Sequence, residues 1–428
     1  MSAWALAASC LCGCTAPLQG CAQVPAKVVL VPTPAVERSI PQPEGPEAEG
    51  DAGLRARLSQ AKDGERIELP AGELRGPFVL ERPVTLVGVG PKTVLAGDAR
   101  GAVVRVRRDG VRRERLALEG GRVGVRCLGH AQLVSVGLHR QHEVGLLVES
   151  GGVDVTDSEV TESGLVGVQA VDSRVDLTGV VMRLSGRRAI ELKGGEARLS
   201  GVDLAFGRQT GLQAMDGAQV TVRASRFEHF VGNAIFAAAA RVKLEDVTTR
   251  DSEYGVLASR GARVEVTGGE MSDYRVAGYA LVNAEGALTG THFARGGTEG
   301  AISLLQTTAP MVIRDVTADD PGTNGLHLTR AQVTLEGTRL TGARLDHTGD
   351  FGDGIYALES TVTVDKSRLL RNAGAGITVA NGTLKVVDSE LSDNGGSGAQ
   401  FVHAGYGTVV HSKLSRNRVG LALAESSG

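Results

Sequence analysis

Apolar side chains recur along this chain in pairs two residues apart, and sets of three pairs recur about every 22 residues. From Gly376 the pairs are Ile377 with Val379, Leu384 with Val386, and Ser389 with Leu391. From Gly145 they are Leu146 with Val148, Val153 with Val155, and Ser158 with Val160; from Gly354 they are Ile355 with Ala357, Val362 with Val364, and Ser367 with Leu369. A period of two puts both members of a pair on one face of a strand, so each unit predicts three short strands separated by polar or glycine turns. A small residue opens each unit, at Gly124, Gly145, Gly167, Ala189, Gly211, Ala234, Gly255, Gly278, Ala301, Gly325, Gly354, Gly376, Gly398 and Gly420. The steps run from 21 to 24 residues, with one of 29 between Gly325 and Gly354.

Strands held in one phase over hundreds of residues cannot fold back as hairpins without breaking that phase. They can wind as a coil, each strand pairing with its equivalent one turn away, about 4.8 Å along the axis. The pattern therefore predicts an all-β fold, a parallel β-helix solenoid of about fourteen coils with inward side chains in a continuous column. Residues 51–62 read as a short amphipathic helix with Asp51 as N-cap, Leu54 and Leu58 on one face, and Gly64 just past the end, placed to cover the first coil. The repeat at Gly420 to Ala424 starts another coil with no cap in sight. An open strand edge there predicts self-association.

Composition adds many turns and small core residues, since 59 residues are Gly and only 3% are aromatic. Lys and Arg number 46 against 49 Asp and Glu, for a net charge of −3, so no global field directs the chain to nucleic acid. Residues 1–21 read as a signal peptide in which Leu11-Cys12-Gly13-Cys14 resembles a bacterial lipobox. Lipidation is expected at Cys14, with Cys21 as the alternative, although no Lys or Arg precedes Lys27. The six prolines of 22–50 make a tether, and 51–428 the folded domain, with a cap and entry strands over 51–88. The expectation is export, as an outer-membrane lipoprotein, periplasmic or at the cell surface, touching the membrane only through the lipid.

The entry segment Asp63-Gly64-Glu65-Arg66-Ile67-Glu68-Leu69-Pro70-Ala71-Gly72, followed by Pro83-Val84-Thr85-Leu86-Val87-Gly88, resembles that of the pectate-lyase-like right-handed parallel β-helix superfamily. With the repeats the resemblance covers roughly residues 51 to 428 and implies a right-handed coil. It implies no single activity, because the fold carries lyases, hydrolases, epimerases, adhesins and non-catalytic periplasmic proteins. Of the polygalacturonase-like motifs Asn-Thr-Asp, Asp-Asp, Gly-His-Gly and Arg-Ile-Lys, only Asp319-Asp320 is matched. Asp346-His347 echoes the epimerase motif Asp-Pro-His-Asp without its proline, and neither likeness transfers a catalytic role.

The 29-residue unit places an insertion loop at 346–353, expected beside the acidic segment Asp319 to Asn324 of the preceding coil. His327 and Tyr356 should be neighbours in one exposed ladder with Ser303 and Thr378. Asp320, His327, Asp350, Asp353 and Tyr356 are thus the catalytic candidates, one carboxyl serving as general acid and Tyr356 stacking on a sugar. Asp346, Asp350 and Asp353 offer oxygen ligands for Ca²⁺. Turn chemistry accounts for the same Asp, Asn and Gly without a ligand. Cys127, His130, His139 and His142 have zinc-like types and spacings, but the phase points Cys127 inward and the histidines into turns. Among the crowded arginines, Arg107, Arg108, Arg112 and Arg113 are candidates for gripping an acidic glycan or another anion, against the plainer reading of a solvated face. Asn233, Asn324, Asn372, Asn394 and Asn417 suit turn or ladder hydrogen bonding.

A regular repeat without a complete catalytic motif favours a non-enzymatic envelope protein that presents a rigid surface to polysaccharide or to another envelope protein. The alternative is a lyase, hydrolase or epimerase acting on acidic glycans.

Overall fold

The computed structural model describes residues 52–424. Cys14, Cys21, the 22–50 tether and Asp51 lie outside the described residues. One helix, α1 (Ala52–Gln60), precedes a parallel β-solenoid and buries Leu54 and Leu58 against its first turn. Among the described residues no helix is long and apolar enough to cross a membrane.

Sixteen strands, one per turn, stack in a single sheet that runs from Phe78–Leu80 to Val419–Ala424. This is the opening strand of each predicted unit. The remaining strands, two in most turns and one continuous strand in the turns of Val111–Gly120 and His130–His139, stack in register in a second sheet. The solenoid thus has sixteen turns where the repeat predicts fourteen coils. The two missed turns come first, and their spacing is irregular: Val79 pairs with Arg105, 26 residues on, and Arg105 with Arg126, 21 residues on. At the phase position the first of these strands carries Pro77 and the second Val103, neither of them a small residue. Elsewhere that position must be small because the next turn's backbone lies over it, and a Cβ on Gly354 would stand 2.6 Å from the Gly376 carbonyl oxygen. Val103 is accommodated by glycines on either side, since a Cβ on Gly97 or Gly121 would come within 2.7 or 2.6 Å of its Cγ2.

Sharp corners make the coil possible. Between the second and third strands the chain passes through the left-handed region in turn after turn, at Asp157, Gly179, Gly201, Asp246, Gly268, Asp315, Gly337 and Asp388 among others. A second such corner, after the third strand, holds Asp251, Asp273, Asp320 and Asp393. Asp and Gly recur because they tolerate positive φ best.

The polar members of the repeat bind one turn to the next. Ser389 Oγ accepts the Ser367 N–H at 3.0 Å, Ser367 Oγ accepts the Thr338 N–H, and Ser158 Oγ accepts that of Val136. Of the two roles open to them, turn or ladder, Asn372, Asn394 and Asn417 take the ladder: Asn394 Oδ1 accepts the Asn372 N–H, and Asn417 Oδ1 that of Asn394. Inside runs one apolar column from Leu54 to Phe401, with Phe78, Phe227, Phe230, Tyr279 and Phe293 its bulkiest apolar members.

Candidate functional site

The long step of the repeat becomes an excursion between a third strand, Arg339–Thr341, and the next opening strand, Ile355–Leu358. An isolated bridge joins Leu345 to Phe351 across it. It packs on the preceding turn as expected: the Gly352 N–H donates to Thr323 O, the Arg344 N–H to Gly322 O, and Arg344 Nε pairs with Asp320 at 2.8 Å.

The register sets Ser303, His327, Tyr356 and Thr378 side by side on four successive turns. They do not form an exposed ladder. Ser303 and Thr378 are buried, and His327 and Tyr356 are half-buried because Phe351 folds over them from the loop. The three rings meet. His327 and Tyr356 stand edge to face at 5.4 Å between centroids, Phe351 and Tyr356 at 5.5 Å, and Phe351 lies 6.3 Å from His327. Burial pushes the His327 imidazole down to about 4, so it is neutral at physiological pH. Phe351 escaped the sequence reading. Its signal was a lone aromatic in an acidic insertion.

The carboxylates do not converge. Asp346 Oδ1 accepts the Thr348 N–H, the Thr348 hydroxyl and the Asp350 N–H; although partial burial opposes it, these bonds hold the carboxyl below its usual range. Asp350 is exposed and accepts from the same Thr348 hydroxyl. Asp320 occupies a left-handed corner and faces Arg344. Asp353 points the other way. It is 7% exposed, its N–H donates to Asn324 Oδ1, and its Oδ1 accepts the Ala375 N–H at 2.6 Å. Burial pushes its carboxyl up to about 6, against the opposing hydrogen bonds of Thr378 and Ala375. Among the described residues no group of three or more His, Cys, Asp or Glu is arranged to hold a metal ion, and Asp346, Asp350 and Asp353 are not brought to one point. Glu299, which no sequence signal marked, is half-buried; burial raises its carboxyl while the Ser303 hydroxyl opposes the shift.

The other candidates separate in the same way. Cys127 is fully buried, and burial pushes its thiol up to about 11; His130 bonds to Asp154 and His139 to Thr161, so no zinc set forms. Arg107 pairs with Glu81 at 3.0 Å, Arg112 binds Glu114 and Gln132, and Arg108 is exposed. Arg113 is a correction to the surface reading. It occupies an inward position between Leu86 and Leu133, is 0% exposed, and none of its three guanidinium nitrogens has a partner among the described residues. On its strand Arg112 and Glu114 are half-buried on the outer face, and Arg113 between them is turned inward.

Residues 240–428 match the family model described as the right-handed beta helix region. The fold is a right-handed parallel β-helix. No curated protein matches this β-helix in sequence. Solved structures similar to it are mostly glycan-active enzymes. The catalytic unit of an α-1,3-glucanase from Streptomyces thermodiastaticus is 14% identical at a TM-score of 0.35, covering 88% of the β-helix chain and 67% of its own. A periplasmic alginate epimerase is 11% identical at 0.40, covering 95% and 100%. The surface protein and adhesin PfbA of Streptococcus pneumoniae is 11% identical at 0.33, covering 90% and 98%. These likenesses concern the fold alone.

Proposed function

We propose that this β-helix is a non-enzymatic cell-envelope protein, exported and anchored by lipid at Cys14 or Cys21, that binds polysaccharide on the ring cluster of His327, Phe351 and Tyr356. One observation carries the reading: in a chain with 3% aromatic residues, three rings from two strands and the insertion loop meet at one half-buried place. Such surfaces take the apolar face of a sugar ring, while neutral His327 offers a hydrogen bond to its rim. The carboxylates around the cluster are held by Arg344, Thr348 and backbone N–H groups, an arrangement that suits a scaffold better than a proton-transfer pair.

The test is affinity electrophoresis and calorimetry of the full chain against a panel of polyuronates and neutral exopolysaccharides. Tyr356→Ala and Phe351→Ala should each weaken binding at least tenfold with unchanged circular dichroism. Binding indifferent to both substitutions would remove the reading.

Asp353 supports a second reading, a lyase, hydrolase or epimerase of acidic glycans, because a carboxyl near 6 suits a general acid. Assays on the same panel with and without Ca²⁺ decide it. Turnover that Asp353→Asn or Asp350→Ala abolishes would replace the binding reading with the enzymatic one. Exposed Val419, Leu421 and Leu423 on the last described strand support a further proposal, self-association along that edge or docking of another envelope protein. A full-length chain that sediments as a monomer at high concentration would remove the self-association.

A further inference from the structure

An asparagine followed by glycine can attack itself: the glycine nitrogen, with no side chain beside it, reaches the asparagine amide carbon with little obstruction. The chain holds three such dipeptides, Asn324-Gly325, Asn381-Gly382 and Asn394-Gly395. The stacked turns treat them differently.

Two are held at both reacting groups. Asn324 is 1% exposed; its Oδ1 accepts the Asp353 N–H at 3.1 Å, and the Gly325 N–H donates to Asp353 O at 3.0 Å. Asn394 is 2% exposed in the asparagine ladder, where its amide donates to Leu369 O and Asn417 Oδ1 and accepts from Asn372. The Gly395 N–H donates to Asn372 O at 2.9 Å. In each pair the nitrogen is engaged and the amide is fixed inside a buried network.

The third is open. Asn381 is exposed at the corner between the strands Ile377–Ala380 and Thr383–Val387. Among the described residues its side chain makes one hydrogen bond, Oδ1 accepting the Ala404 N–H at 3.4 Å, and the Gly382 N–H donates to none of them. Register explains the idle donor. At the same corner two turns earlier the Ala331 N–H donates to Ser360 Oγ, its neighbour in the ladder. The neighbour in that place beside Gly382 is Gly405, which has no side-chain oxygen to offer.

We propose that Asn381 is a site of spontaneous covalent modification, at which the corner closes to a succinimide and hydrolyses to aspartate and isoaspartate. The Gly382 nitrogen gives its proton to hydroxide and attacks Asn381 Cγ. The new N–Cγ bond replaces the Cγ–Nδ2 bond, and Nδ2 leaves as ammonia. Water then opens the ring, at the side-chain carbonyl to leave aspartate or at the main-chain carbonyl to leave isoaspartate. One water is consumed, one ammonia is released, and nothing is oxidised or reduced. Either product sets a carboxylate one rung from Glu359. Isoaspartate also adds a methylene to the main chain just before the rung of Thr383–Val387 on Tyr406–Val410, so it loosens the last described turns. The site shares no residue with the ring cluster, and the inference goes beyond the proposed function.

The experiment incubates the full chain, folded and in urea, at neutral and mildly alkaline pH, and follows the three sites by mass spectrometry. Trypsin separates them on the peptides 315–330, 372–385 and 386–413, and fragmentation distinguishes Asn381 from Asn372. In the folded chain Asn381 should convert at least tenfold faster than Asn324 and Asn394, and faster still at alkaline pH. In urea the three rates should converge. Asn381→Gln, whose longer side chain closes a ring far less readily, should remain unmodified. Hydrogen exchange of the aged wild type should quicken in residues 383–387 and 406–410, and that of equally aged Asn381→Gln should not. A folded-state rate at Asn381 no greater than at the other two, a difference that persists in urea, or equal exchange in the two aged proteins would each overturn the inference.

Discussion

The imidazole of His327 stands edge-on to the ring of Tyr356, with planes at 85° and centroids 5.4 Å apart. The two residues are 29 positions apart in sequence and one rung apart in the sheet. Phe351, delivered by the loop between them, closes over both. The longest step of the repeat has thereby built the half-buried aromatic place on which the proposed function rests.

Two groups near this place should oppose one another in acid. His327 titrates at about 4 when folded against 6.5 when unfolded, so the unfolded chain takes the proton first, and this group makes stability rise with pH between those values. Asp353 titrates at about 6 when folded against 3.8 when unfolded. The folded chain keeps that proton longer, so stability falls as pH rises through the overlapping window. Between pH 4 and 6 these two contributions offset one another. His327→Phe should leave a midpoint that falls over this range, and Asp353→Asn one that rises. Single variants that retain the wild-type profile would contradict the burial described.

Arg113→Met should stabilise the protein. A buried guanidinium with three unpartnered nitrogens is costly, and burial already pushes its pKa down to about 10. Replacing a buried charge by a side chain of similar length, flanked by Leu86 and Leu133, is expected to gain about 1–4 kcal/mol. A raised urea midpoint with unchanged slope is the expected reading. A lowered midpoint would mean that Arg113 has a partner in solution.

Ser389→Ala tests the stitching of the coils. Ser389 Oγ is the acceptor for the buried Ser367 N–H, and an orphaned donor costs about 1–3 kcal/mol. Chemical denaturation should show a loss of that size. Ser→Ala at a site without such a bond, such as the exposed Ser59, whose hydroxyl serves only its own helix, should cost much less.

Leu58→Ala probes the cap. Leu58 on α1 is 7% exposed against the first turn, and truncating a buried leucine costs about 2–5 kcal/mol. Hydrogen exchange should speed up first in the strands Arg66–Glu68 and Phe78–Leu80, before the middle of the solenoid. Uniform acceleration along all turns would argue against a local cap.

From the sequence alone came the strand period, the 22-residue unit, the inward column, the register of His327 beside Tyr356 and the place of the insertion. Those follow from alternation and spacing, which backbone geometry converts directly into position. Tertiary structure decided what the spacing does not encode: that two irregular turns precede Gly124, with Gly97 and Gly121 making room for Val103; that Phe351 covers the ladder; that Arg113 faces the core; and that Asp353 turns into a backbone hydrogen-bond ladder while Asp346 and Asp350 stay on the loop. Each of these depends on which side chain fills the space left by a neighbour one turn away. Burial and ion pairing are properties of stacked turns, and a one-dimensional period fixes which residues are neighbours without fixing how their side chains share the room.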